Sequence, residues 1–192
     1  MGPDSTLEVL KTVMLLPRFL RLVTRAALAG LALVVPASFG QVTTEAQLKA
    51  AYLVNFLKYV EWPVQRATLT ICLFGRDSLG PSLAGYEGRQ IGGRELRIRK
   101  VSSPEQLADC SELFIPETEE GRIGAVLRWT ENQPILTISD AEVFIRDGGA
   151  IGLVRSEGRL QFDVNADVLA RAGLKPSSQM MRLARQVIGG AR

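Results

Sequence analysis

Two cysteines, no histidine and a scatter of carboxylates limit the chemistry that this 192-residue sequence could carry. Without histidine the chain lacks both the usual proton shuttle near neutral pH and the commonest metal ligand. Ser-His-Asp and Cys-His sites are therefore excluded. Cys72 and Cys110 stand thirty-eight positions apart, which rules out a CxxC-type zinc site. The pair has two readings: a disulfide, the usual state of an even pair in an oxidising compartment, or two buried, inert thiols. A bridge closing that loop is worth roughly 4 kcal/mol in the chain-entropy model. No cofactor, metal or catalytic residue is expected, and the chain reads as no enzyme.

Carboxylates could still do acid-base work. Asp140 follows the apolar run 135–138, where an α/β sheet places ligands, but Ser139-Asp140 is equally a plain strand ending, and spacing ties no second carboxylate to it. Gly75 to Gly80 encloses Arg76-Asp77-Ser78-Leu79 in the position of a phosphate loop. It lacks the Lys-Ser/Thr of a P-loop and is not GxGxxG, which leaves a glycine-flanked turn before Pro81 or a weak anion nest. Arg89, Arg94, Arg97, Arg99 and Lys100 cluster, yet Arg97 and Arg99 alternate with Leu96, Ile98 and Val101, as on the wet face of a half-buried strand. No aromatics interleave with them, so no nucleic-acid partner is expected. Arg76, Arg94 and Asp140 remain candidates for the mouth of a pocket that takes a small extracytoplasmic ligand, in a sensor acting through a membrane partner.

The elements that must position these residues follow from periodicity. Thr44 and Gln47 form a capping box for a helix over 45–60, with one apolar row at Leu48, Tyr52, Phe56 and Tyr59 and a second at Leu53, Leu57 and Val60. Pro63 stops it. Strands at 69–74, 96–101, 113–115 and 135–138 alternate with helical or turn-like stretches at 78–86, 104–108 and 119–129, which predicts a mainly parallel sheet. Strands at 143–145, 151–154 and 160–164 around glycine turns predict an antiparallel C-terminal portion. Asn165 caps a helix that Gly173 ends, and Ser177 or Ser178 starts a last helix with Met181, Ala184 and Ile188 on one face. The fold class is thus α/β: a single domain whose mixed β-sheet has a mainly parallel first part, flanking helices and an antiparallel C-terminal portion.

Residues 1–40 read as a secretory signal. Arg18, Arg21 and Arg25 precede the apolar run 26–35, and Ser38 and Gly40 occupy the small-residue positions, so cleavage leaves Gln41 first. The run is about half of the roughly 20 residues that an uncleaved anchor would need. Met14 is an alternative start. After cleavage, residues 41–192 form one soluble domain with no direct membrane insertion.

Several segments carry a family resemblance. They are Lys49-Ala50-Ala51-Tyr52-Leu53-Val54-Asn55-Phe56-Leu57-Lys58-Tyr59-Val60-Glu61-Trp62-Pro63, Ile71-Cys72-Leu73-Phe74-Gly75, Ile91-Gly92-Gly93-Arg94, Cys110-Ser111-Glu112-Leu113-Phe114-Ile115, Leu136-Thr137-Ile138-Ser139-Asp140, Gly148-Gly149-Ala150-Ile151 and Gly173-Leu174-Lys175-Pro176-Ser177-Ser178-Gln179. In order and type they resemble the YfiR-like periplasmic proteins. The resemblance implies a non-enzymatic regulator that binds the periplasmic part of a membrane-bound diguanylate cyclase and represses it, lowering cyclic-di-GMP and restraining biofilm formation. It also implies a bridge between Cys72 and Cys110. A second cysteine pair that some members carry near Gly148-Gly149 has no counterpart, because Phe144, Ile145, Ile151 and Gly152 stand there. Ile151, Asp163, Leu169 and Gln186 are the implied partner-binding positions, although apolar residues such as Ile151 and Leu169 are equally core. A homodimer is compatible with this reading.

Overall fold

The computed structural model describes residues 44–76 and 79–190. The expected leader lies outside them, as do Asp77 and Ser78 within the glycine-flanked loop. Helix α1, Glu45–Tyr59, starts with the expected capping box: Gln47 N–H donates to Thr44 Oγ1 at 3.2 Å and Thr44 N–H donates to Gln47 Oε1 at 2.8 Å. Its inner face buries Ala50, Leu53, Val54, Phe56 and Leu57. The helix ends one residue earlier than the periodicity predicts, because Val60–Glu61 turns extended as β1 and pairs antiparallel with β9, Lys175–Pro176.

The main sheet contains β2 (Thr68–Phe74), β3 (Gln90–Ile91), β4 (Arg94–Val101), β5 (Glu112–Ile115), β6 (Leu136–Ser139), β7 (Ile151–Ser156), β8 (Arg159–Asn165) and β10 (Gln186–Ile188), in the order β10-β8-β7-β6-β5-β2-β4-β3. Strands β4, β2, β5, β6 and β7 run parallel. The β7–β8 hairpin is antiparallel, and its turn has Glu157 and Gly158 at φ 52° and 73°, the double positive φ that a tight hairpin prefers. The expected mixed sheet is therefore present. Because β4 and β5 lie on opposite sides of β2, the connections reverse direction between β2 and β5, the switch point at which such sheets open a crevice.

Helices α2 (Gly80–Leu83), α3 (Ile123–Thr130), α4 (Ala166–Arg171) and α5 (Ser178–Leu183) complete the fold. Alternation along the central strands splits the core in two. Leu69, Ile71, Leu73, Phe114, Leu136 and Ile138 pack with α1, whereas Cys72, Phe74, Leu113 and Ile115 pack with Ile123 and Val126 of α3 on the other face.

Two sequence expectations change. Residues 143–145 form turns rather than a strand, with Phe144 N–H bonded to Ala141 O at 3.1 Å and Asp147 N–H to Val143 O at 3.0 Å. Three consecutive apolar residues carry no alternation, and Phe144 is drawn fully inward against Gly149, where a Cβ would fall 2.1 Å from its ring. The last helix stops at Leu183 instead of reaching Ile188. Ala184 is extended, Arg185 N–H donates to Phe162 O at 2.8 Å, and β10 joins β8 in parallel register.

Candidate functional site

At the switch point Gly75 has φ 67°, and Arg76 N–H donates to Glu119 Oε1 at 3.1 Å. A Cβ on Gly75 would lie 2.2 Å from that carboxylate, which Arg122 holds from the far side at 3.3 Å. The described part of the loop meets an anion through this one N–H, and the anion is the protein's own. Glu119 fills the space beside Gly75 that a phosphate would occupy in a doubly wound sheet.

The neighbouring carboxyl ends of β5 and β6 open into a cleft of about 270 Å³, lined by Glu117, Asp140 and Glu142 on one side and by Leu153, Arg155 and Leu160 of the hairpin on the other. Both oxygens of Asp140 are engaged, Oδ2 by Lys49 Nζ and Oδ1 by Glu117 N–H, each at 2.6 Å. Lys49 also meets Glu45 at 2.8 Å, and Glu45 meets Arg155. Tyr52 Oη–H donates to Leu160 O at 2.9 Å, so α1 is tied twice to the hairpin. Burial works to lower the Lys49 pKa, but the hydrogen bonds to Asp140 and Glu45 outweigh it and leave it raised. The hydrogen bond and charge of Lys49 hold the Glu45 carboxyl below its usual range.

An ammonium held by two carboxylates is a poor nucleophile, and each oxygen of Asp140 already accepts a hydrogen bond. The arrangement is an ionic tie between α1, the end of β6, the turn at Glu117 and the hairpin. Replacing Lys49 by Met should lower stability by about 1–2 kcal/mol, because Asp140 would keep its half-buried charge without its cation. The shift of the urea midpoint measures it.

The three residues proposed for a pocket mouth are not brought together. Arg76 and Asp140 lie at the carboxyl ends of the strands, whereas Arg94 begins β4 at the opposite end, its guanidinium 5.9 Å from the centroid of the Trp62 ring. Trp62 Nε1–H donates to Ser111 O at 3.1 Å and pins the end of α1's motif beside the disulfide. Cys72 and Cys110 are bridged, with Cα atoms 5.8 Å apart, and both are buried.

Of the positions implied for a partner, Ile151 and Leu169 are 0% and 1% exposed and belong to the α1-side core. Their side chains cannot be reached from outside this fold. Asp163 is also buried, under a two-pronged pair with Arg185 at 2.8 and 2.5 Å. Gln186 is exposed on β10, opposite Asp163 in register. Beside it lies an apolar edge that sequence reasoning missed: Leu183, Val187 and Ile188 are 66%, 42% and 38% exposed. Reading the segment as one helix hid this edge, since it puts Ile188 on one helix face with Met181 and Ala184. Lys49 was missed because its partner Asp140 is 91 residues away. Only the spacing to Glu45 signals it locally.

Among the described residues no group of three or more cysteines or acidic residues is placed to hold a metal ion, and no helix is long and apolar enough to cross a membrane. Among solved structures, a conserved domain protein from Vibrio cholerae O1 biovar El Tor is similar, with a TM-score of 0.52 and 11% identity over 75% of this chain. An ABC domain in complex with L-Trp from Streptococcus pneumonia is similar with a TM-score of 0.50 and 13% identity over 72% of this chain. The chain spans 60% of the length of each, and at these identities the likeness is one of fold. A family model described as YfiR/HmsC-like matches residues 46–185, a span that holds both Lys49 and Asp140 and both bridged cysteines. The chain belongs to the YfiR/HmsC-like family.

Proposed function

We propose that the protein is an exported, periplasmic, non-catalytic regulator that binds the periplasmic part of a membrane-bound diguanylate cyclase and holds it inactive, lowering cyclic-di-GMP. The observation that carries this reading is the family match across nearly the whole described fold. Residues 1–40 are the leader in this account, and the buried Cys72–Cys110 bridge fits an oxidising compartment. Asp140 and Lys49, the chemically suggestive pair, are occupied with each other, which supports a binding role over catalysis.

The docking face in this account is the β10 edge, where Leu183, Gln186, Val187 and Ile188 are all exposed. Ile151, Asp163 and Leu169 act beneath it by holding β7, β8 and α4 in place. A homodimer through the same edge would compete with the cyclase. Glutamate at Val187 and Leu183 tests the face directly, since both side chains already meet solvent and the fold should tolerate the change. Affinity for the cyclase should fall at least tenfold with an unchanged melting temperature. Full binding by the double variant would place the docking face elsewhere.

A further inference from the structure

A second cleft, of about 340 Å³, lies away from the ionic tie, at the amino end of β6, between α3, the turns around Asp147-Gly148 and α4. Its volume falls in the range of small-molecule sites. Leu127, Ile135, Val168 and Ala172 provide an apolar lining. Arg128 comes from α3 and Arg171 from α4, and both are exposed residues that line this one cleft.

Among the described residues neither guanidinium has an ion pair, whereas Arg97, Arg99, Arg122, Arg146, Arg155 and Arg185 each meet a carboxylate. The Arg128 guanidinium lies back along its helix over Gly124, where an added Cβ would stand 3.9 Å from it. Two acids also line the cleft, Glu131 and Asp147, and Asp147 is already met by Arg146 at 3.6 Å. The lining itself therefore holds two cations and two acids, and with Asp147 met by Arg146 from outside the lining, Glu131 is the one acid left to compete with a ligand for the two guanidiniums. A guanidinium supplies planar, paired donors suited to a carboxylate, and the aliphatic lining suits a short hydrocarbon body.

We infer that this cleft binds a small organic carboxylate with a short apolar body, its carboxylate held between Arg128 and Arg171 and its body against Leu127, Ile135, Val168 and Ala172. This site does not depend on the cyclase reading and uses none of Arg76, Arg94 or Asp140. A ligand here would join α3 to α4, and α4 follows directly on β8, the strand that carries β10.

Titration calorimetry of the purified protein with hexanoate, hexylamine and inorganic phosphate tests the inference. Hexanoate should bind in the millimolar range or tighter, as expected for a ligand of so few atoms. Hexylamine should not bind, and phosphate should bind at least tenfold more weakly than hexanoate. Arg128→Gln and Arg171→Gln should each weaken hexanoate at least tenfold with an unchanged melting temperature, while Arg159→Gln, on β8 outside the cleft, should leave it unaltered. No hexanoate binding, undiminished binding in both cleft variants, or phosphate or hexylamine binding as tightly as hexanoate would overturn the assignment.

Discussion

Replacing Glu112 by Met should raise the stability of the protein at neutral pH by about 2 kcal/mol, the reverse of the usual effect of a core substitution. Glu112 opens β5 in the middle of the sheet, flanked in register by Ile71 and Leu136, and is 0% exposed. Neither carboxyl oxygen has a hydrogen-bond partner among the described residues. Burial alone pushes its pKa well above the ordinary carboxylate range, and no neighbouring cation offsets it. The group is therefore held protonated in the fold, whereas in the unfolded chain it ionises near pH 4.3.

The sign of the pH dependence follows. Above about pH 4.3 unfolding releases this proton, so the fold binds more protons than the unfolded chain and stability falls as pH rises, by up to roughly 1.4 kcal/mol per unit until the folded pKa is reached. Acid thus favours the fold through this residue. Glu112→Gln should abolish that slope while keeping an unpartnered polar group. Glu112→Met should abolish the slope and also recover the cost of the polar group. Urea unfolding at pH 5, 6 and 7 separates the two costs. A Met variant less stable than the parent at pH 7, or an unchanged slope in the Gln variant, would show that the carboxyl has a partner in the folded protein.

The second large effect is expected at the disulfide. Replacing both Cys72 and Cys110 by Ala should lower stability by roughly 4 kcal/mol from the opened loop, with a further loss from cavities among Phe74, Leu107 and Leu113. Because both sulfurs are buried, reductant should act slowly on the native protein and quickly once urea opens it. Equal urea midpoints for the parent and the double variant would contradict the assigned role of the bridge.

Elements governed by local chemistry were legible in the sequence. The Thr44–Gln47 box, the Asn165 cap on α4 and Gly173 just past its end, at φ 69°, all appear where predicted. The parallel order was legible because each apolar run was followed by a helical or turn-like stretch. What failed was set by distant partners. Residues 186–188 became a strand because β8 offered a free edge and Asp163 captured Arg185 across 22 positions. Glu112 was left outside the predicted strand, since a carboxylate at its start looks like a loop residue until both faces of β5 are known to be covered. The candidate site was legible only in part. Asp140 was singled out for its place at a strand end, but Lys49 of α1 and Arg155 of the hairpin reach it only in the folded chain. The exposure of Leu183, Val187 and Ile188 depends on their lying at the last edge of the sheet, which periodicity cannot convey.

The proposed role of this protein is to bind and silence a membrane diguanylate cyclase. The most direct test recovers the protein with its partners from solubilised membranes and measures cyclic-di-GMP in cells with and without its gene. A diguanylate cyclase should co-purify with the parent but not with the Leu183→Glu, Val187→Glu variant, and cyclic-di-GMP should rise when the gene is deleted. Recovery without any cyclase, together with an unchanged cyclic-di-GMP level, would contradict it.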